Sequence, residues 1–422
     1  MNINKEINRL FKHEHGKLIS VLTKTFGASN IQLAEDVVQE AMFEAIKQWG
    51  ENGLPENPAG WIYKVSKNKA LNIVNREKYK RKYQSEVARH LQSQWTASPM
   101  LDHIFTDKEI ADDQLRMMFT CCHPEVSVDS QVALALKTLC GFSIPEISKA
   151  FLTSEENINK RLVRARKNIR DANLPFEVPQ GKELEKRLGA VLECIYLLFN
   201  EGYYASKGND IIRYELCEES IRLAEIIATS EAITKKSNVY ALLALMVLNT
   251  SRFKSRLGPL DTIVDLENQD RAIWDQNLIH KGIVYLELAT EQGEVSIYHI
   301  LATISAHYCT APDFASIQWV DILDLYDHLM KIDKSPIIQL NRAIILAKVK
   351  GAKVALDALR QIKNKSQLQS YLPYFTTRAE LYSQNNEPEL AVNMLKEALK
   401  LAKRSNIKEL INRKIELYSK NN

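Results

Sequence analysis

Apolar residues return at intervals of three and four along almost the whole chain, and the alternating pattern of a half-buried strand is hard to find. That period restricts the chain to packed amphipathic helices. The scarcity of helix breakers agrees with it: 14 Gly and 12 Pro in 422 residues are about half the ordinary share, which disfavours collagen-like, low-complexity and turn-dense β architectures. An all-α fold of several domains is expected at this length. The longest unbroken apolar run, Tyr240 to Leu248, falls well short of the ~20 residues that cross a bilayer, and Met1 to Lys17 has no apolar core of a leader. No membrane association is expected. Six cysteines, two of them adjacent and the rest scattered, do not make a disulfide framework, so a cytoplasmic location is expected.

A net charge of +4 says little until its distribution is seen. Between Gly60 and His90 there are nine basic residues and two acidic ones, and between Lys160 and Arg170 six basic and none acidic. Two separated basic helical stretches in a nearly neutral chain form a two-point electrostatic footprint for a polyanion.

The order of elements sharpens this. Two helices come first, one carrying Ile7, Leu10, Phe11, Leu18, Val21 and Leu22, the next Leu33, Val37, Ala41, Ala45 and Trp49, with Gly27 to Asn30 between them. Gly50 to Pro58 is the densest turn signal, and Asn57-Pro58 supplies an N-cap and a first-turn proline for the basic helix that follows. Residues 83–111 read as a polar linker. A second set of helices, over 112–180, ends as a helix-turn-helix: Ser143-Ile144-Pro145-Glu146 is a capping box, Ile147, Ala150 and Phe151 are apolar, and Thr153-Ser154-Glu155 caps the last helix. In that helix Ile158, Leu162, Ala165 and Ile169 make one buried stripe, leaving Asn157, Lys160, Arg161, Arg164 and Lys167 outside. Pro175 and Pro179 mark a boundary near residue 180. The remainder divides into helical stretches 181–295 and 296–422. In the latter, Asn341-Arg342-Ala343, Gly351 and Ala355 recur 36 residues on as Thr377-Arg378-Ala379, Glu387 and Ala391, the small-and-large pattern of a tetratricopeptide (TPR) hairpin and hence of a short solenoid.

Three constellations point to nucleic acid or a protein partner. A basic recognition helix fits the major groove, with Glu155, Asn157, Lys160 and Arg161 as base-facing candidates and Arg164 and Lys167 on phosphates. Asn57, Lys64, Lys67, Asn68, Asn72 and Arg76, interleaved with Trp61, Tyr63 and Tyr79, suit unpaired bases, which need stacking and hydrogen bonds as well as charge; Trp61 itself reads as core. Ala34 to Ala41, with Glu35, Asp36, Gln39 and Glu40, presents an acidic and amide face. By contrast, Cys121-Cys122-His123-Pro124 lacks a second ligand pair at zinc spacing, and no phosphate loop, zinc helix or nucleophile elbow is present. Metal, cofactor and catalytic residues are not expected. The carboxylates Asp270 and Asp275, in a polar cluster from Glu267, leave an acid-base reading open, which bound metal around Cys121, Cys122 and His123 would strengthen.

The order of an acidic-faced helix, a turn-rich loop, a basic aromatic helix, a linker and a basic helix-turn-helix resembles regions 2 and 4 of extracytoplasmic-function (ECF) sigma factors of the sigma-70 family. Ala34 to Ala45 with Trp49 resembles region 2.2, Asn57 to Asn72 regions 2.3 and 2.4, and Leu115 to Pro124 with Arg161 to Arg166 region 4. Cys-Cys-His-Pro, Asn200-Glu201-Gly202-Tyr203 and Gln269-Asp270-Arg271 with Trp274-Asp275 are similar to the ECF subgroup with a long extension ending in TPR-like repeats. The resemblance implies that 1–82 binds core RNA polymerase through Asp36, Gln39, Glu40 and Phe43 and the minus 10 element through Asn57, Lys64, Lys67, Asn68, Asn72 and Arg76. It implies that 112–180 reads the minus 35 element through the helix from Glu155, and that the extension regulates or binds an effector, protein or small molecule. The competing expectation is a stand-alone helix-turn-helix regulator with a repeat scaffold.

Overall fold

The computed structural model describes residues 3–81, 107–150, 153–204, 212–258, 262–291, 295–363 and 368–419. Among these there are nineteen α-helices and no strand, as the period required. The chain divides into two compact units, Met1–Thr234 and Lys235–Asn422.

The first unit begins with α1 (Ile3–Phe26), α2 (Ile31–Asn52) and α3 (Pro58–Arg81). Leu18, Val21 and Leu22 of α1, Val37, Ala41, Ala45 and Trp49 of α2, and Ile62 and Ala70 of α3 are buried. The Trp49 ring sits 6.1 Å from Phe11 and 5.4 Å, edge-on, from Trp61, so Trp61 belongs to the packing of this bundle. The turn after α2 is shorter than the composition indicates. The helix runs through Gly50 to Asn52, and Gly53 then closes it at φ 80°, a conformation that favours glycine.

Next come α4 (Asp107–Cys121), α5 (Val128–Thr138), α6 (Ile144–Ala150) and α7 (Glu155–Asp171). The capping box forms as read: Ser143 N–H donates to Glu146 Oε2 at 2.8 Å, and Glu146 N–H to Ser143 Oγ at 3.4 Å. Ser154 Oγ accepts from Asn157 N–H at 3.2 Å and starts α7. Ile158, Leu162, Ala165 and Ile169 are the buried residues of α7. Phe151 lies outside the described residues.

Two further helices, α8 (Gly181–Tyr203) and α9 (Tyr214–Thr229), pack on the same core. Arg187, on α8, donates to the Phe119 carbonyl and lays its guanidinium 5.8 Å over the Phe119 ring. Arg222, on α9, is held by two bonds to Glu219 at 2.8 and 2.6 Å and reaches Gln114 of α4 at 2.9 Å. The adjacent cysteines are part of this packing. Cys121 Sγ lies 3.3 Å from Thr138 Oγ1 and Cys122 Sγ 3.8 Å from Cys194 Sγ, while the His123 carbonyl accepts from Gln131. Burial pushes the Cys121 thiol up, and the bond with Cys122, together with burial, pushes up that of Cys194, which suits packing rather than thiolate chemistry.

The second unit is built on α10 (Ser237–Thr250), the long apolar run, buried from Ala241 to Leu248. It is followed by α11 (Phe253–Arg256), α12 (Gln276–Thr290) and α13 (Ile297–Thr310), of which α12 and α13 pack on α10. The Gln269 to Asp275 cluster is structural. Asp270 and Asp275 accept from Ala272 and Leu278 N–H at 2.9 and 3.1 Å and so cap helical turns. Arg271 satisfies the Tyr308 and Ala311 carbonyls at 2.8 and 2.7 Å, and Trp274 donates to Ser255 Oγ at 2.6 Å.

Six helices complete the unit: α14 (Trp319–Ile332), α15 (Pro336–Lys350), α16 (Ala352–Gln361), α17 (Leu372–Gln384), α18 (Pro388–Leu401) and α19 (Ser405–Ser419). The 36-residue recurrence is visible in the packing: Ala343 and Ala379, like Ala355 and Ala391, are equivalent buried small residues in successive hairpins. Gly351 at φ 87° turns the first hairpin, and Asn386 at φ 58° serves the second.

Candidate nucleic-acid interface

The acidic helix α2 is two-sided. Asp36, Gln39 and Glu40 are exposed. Beside them Phe43 and Ile46 are 69% and 51% exposed, an apolar pair in a polar rim of the kind that marks a partner site. Glu35, read with that face, is instead 1% exposed and points into the first unit. Its Oε2 accepts from Arg166 Nη2 of α7 at 2.5 Å. Burial raises the Glu35 pKa against the opposing pull of Arg166.

On α3, Lys64, Asn68 and Asn72 are exposed and Lys67 is half-buried, so these four lie along an accessible basic strip. Asn57 is exposed, and its Oδ1 accepts from Gly60 N–H at 2.8 Å, which caps the helix. Lys69 pairs back to α2, 3.2 Å from Glu40 and 2.9 Å from Glu44, and the Glu44 bond leads the causes that raise its pKa. The side chains of Arg76 and Tyr79 lie outside the described residues.

On α7, Glu155, Asn157, Lys160, Arg164 and Lys167 are exposed. Arg161 is half-buried, its Nη2 3.3 Å from Asp129 of α5. Asn168 on the same flank donates to the Glu125 carbonyl at 2.8 Å. Directly opposite the buried stripe lies a surface recess lined by Glu156, Asn159, Lys160, Val163 and Arg164. Val163 at its centre is 63% exposed. The outermost face of α7 therefore runs through Glu156, Lys160, Val163, Arg164 and Lys167. Glu156 and Val163 were not apparent from chemistry alone, although the spacing of the stripe places both opposite it. An exposed aliphatic group on such a face suits a thymine methyl.

Comparison with known proteins gives this geometry a family. Residues 10–80 match the sigma-70 region 2 family, which covers α3 and the acidic helix. Residues 116–169 match sigma-70 region 4, which covers the helix-turn-helix. The chain belongs to the sigma-70 family. This sigma factor therefore has core RNA polymerase and promoter DNA as its partners, and its place is in transcription rather than in catalysis. Residues 187–290 match a family of unknown function, DUF6596. The sigma factor is 32% identical over 385 residues to the uncharacterized protein R00370 of Rhizobium meliloti (strain 1021), a match covering 87% of this chain and 86% of that one, and the two belong to one family. No solved structure matches the chain. Among the described residues, no helix is long and apolar enough to cross a membrane, and no group of His, Cys, Asp and Glu is placed to hold a metal ion.

Proposed function

We propose that this sigma factor is of the ECF type and works from the cytoplasm. Asp36, Gln39, Glu40 and Phe43 dock on core polymerase, and Asn57, Lys64, Lys67, Asn68, Asn72 and Arg76 hold the opened minus 10 element. The α7 face from Glu155 to Lys167 reads the minus 35 element. The bond-making chemistry belongs to the polymerase, and this chain supplies address and melting without a cofactor. The observation that carries the reading is the exposed Phe43 and Ile46 beside the carboxylates of α2, an apolar pair in an acidic setting that repels DNA phosphates and suits a protein partner. The extension acts in cis or through an effector, and its last hairpins form a TPR-like scaffold.

The test is binding of the full chain to core polymerase. Asp36→Arg with Gln39→Ala weakens it while leaving duplex DNA binding intact. Unchanged polymerase binding assigns the chain instead to stand-alone helix-turn-helix regulators.

A further inference from the structure

The basic surplus of this sigma factor does not come from its two promoter-reading regions. From Pro336 to Asn422 the sequence holds sixteen Lys and Arg against seven Asp and Glu, a surplus of nine, while the whole chain carries +4. Residues 1–335 are therefore negative by five charges, although they contain both α3 and α7. A surplus of that size on a helical repeat has to be placed on the fold and given a partner.

The fold gathers it on one edge. Helices α14 to α19 pack each on the next and run up and down, so the turns after α14, α16 and α18 share one edge and those after α15 and α17 the other. On the first edge Lys331, Lys334, Lys363, Lys396, Lys403 and Lys408 are exposed, and among the described residues none of the six forms an ion pair. The nearby carboxylates are engaged elsewhere. Asp357 lies 2.8 Å from Arg360, Glu397 2.6 Å from Lys400 and Glu409 2.5 Å from Arg413, and Asp333 accepts from Ser335 N–H at 2.8 Å. The second edge is balanced, with Lys348, Lys350 and Lys353 matched in number by Glu267, Glu387 and Glu389, and Lys348 3.5 Å from Glu267.

Helix dipoles account for part of this asymmetry. A cation is favoured in the last turn of a helix, which suits Lys331, Arg360 and Lys400. They do not account for Lys408, in the first turn of α19, where the dipole favours an anion and no acidic residue stands. The repeat itself loses its acid: 36 residues on from Asp357 and Arg360 are Asn393 and Lys396, so Lys396 lacks the neighbour that Arg360 has. Lysine holds a phosphate as a point charge without fixing its direction. A row of lysines therefore suits a sequence-independent hold on a duplex, which carries one charge per ~1.7 Å of axis. Promoter DNA is already a partner of this family.

We propose that this edge is a third contact with DNA, which grips the backbone of the duplex on the upstream side of the minus 35 element without reading its sequence. The upstream side follows because region 2 and core polymerase take the DNA on the other side of that element. This placement rests on the assignment of α7 above, whereas the contact rests on the edge alone.

Fluorescence anisotropy of labelled duplexes titrated with the full chain tests both parts. Lys396→Gln, Lys403→Gln and Lys408→Gln are combined in one edge variant, and Lys350→Gln with Lys353→Gln, on the balanced edge, is the control for lost charge. All five side chains are exposed, so both variants keep the fold, which circular dichroism checks. On a duplex of ~60 base pairs, between about 50 and 200 mM salt, each lost phosphate contact flattens the plot of log affinity against log salt by ~0.9. The edge variant is expected to be flatter than the native chain by about two to three units and to bind more than about tenfold more weakly at low salt, with the control changed by less than about one unit. An edge variant with the native slope overturns the proposal and leaves the edge to another anion, such as an acidic protein surface. Equal flattening in the control overturns it as well, since net charge rather than the edge is then responsible. On a promoter that yields run-off transcript, lengthening the duplex upstream of minus 35 from ~5 to ~25 base pairs steepens the slope of the native chain and not of the edge variant. A gain from downstream DNA alone overturns the placement. If no promoter yields transcript, the sigma-factor reading fails and the placement with it, while the slope still decides the contact.

Discussion

Replacing Gly16 with Ala asks whether α1 truly lies against the end of α5, and the sign of the effect gives the answer. In an ordinary helix interior the change is favourable by ~0.5–1 kcal/mol, because glycine loses more backbone freedom on folding. Here the new Cβ would lie 1.9 Å from the Leu139 carbonyl oxygen and 2.7 Å from its carbon, against an ordinary contact of 3.4 Å or more. The two helices must separate by about 1.5 Å, and the obstacle is backbone, which cannot rotate aside. Overpacking of this kind costs ~1–3 kcal/mol. The gain in helix propensity is too small to offset it. Gly189 on α8 is the control, since an added Cβ there meets nothing within 4 Å. Urea unfolding of the full chain, followed by circular dichroism, should show Gly16→Ala destabilised by ~1–3 kcal/mol and Gly189→Ala stabilised by ~0.5–1 kcal/mol. If both variants gain equally, α1 does not pack against the end of α5 at Gly16.

Three further outcomes are expected. His15, buried and near Lys137, has its pKa lowered to about 4, chiefly by burial. The fold thus holds it neutral, and this stability, complete above pH 6.5, is lost as pH falls toward 4. Relative to His15→Leu, the native chain should lose about 3 kcal/mol between pH 7 and pH 4. Asp113, raised to about 6 by burial against the pull of Lys24 and Arg116, gains stability as pH falls over that range, so the comparison must be with the variant; a constant difference refutes the assignment to His15. On promoter DNA, Arg161→Ala and Val163→Ala should each relax selectivity at one or two positions by ~1–3 kcal/mol. Lys167→Ala should weaken all sequences and flatten the salt dependence by about one unit, so equal losses on every sequence for all three mean that none reads bases. Arg187→Met, which keeps the packed stem but removes the donor to the Phe119 carbonyl, should cost ~1–3 kcal/mol in urea unfolding; an unchanged midpoint removes α8 from the region 4 core.

Features set by near neighbours in the chain were legible beforehand. The Ile158, Leu162, Ala165, Ile169 stripe follows from helical period, and the caps at Ser143, Ser154 and Asn57 from residues three positions apart. The family pattern rested on the same local signals, and it placed Asp36, Gln39, Glu40 and Phe43 on a helix whose outer face is exposed. What stayed hidden depends on partners far along the chain. Glu35 looks like another surface carboxylate until Arg166, 131 residues away, is brought beside it. Both residues do border buried positions, Ala34 and Ala165, which is the one local hint of their burial. Likewise, the prolines after α7 end a helix without ending the packing, because α8 and α9 find their apolar partners on α4 and α5. The cluster at Asp270 and Asp275 illustrates the reverse: carboxylates that invite an acid-base reading are used up in capping helical turns.

The most direct measurement is run-off transcription from a promoter library by core RNA polymerase with and without the purified chain. Transcripts that appear only with the chain, from defined start sites sharing upstream elements near minus 10 and minus 35, are the predicted result. A core enzyme that starts nowhere new when the chain is added contradicts the account.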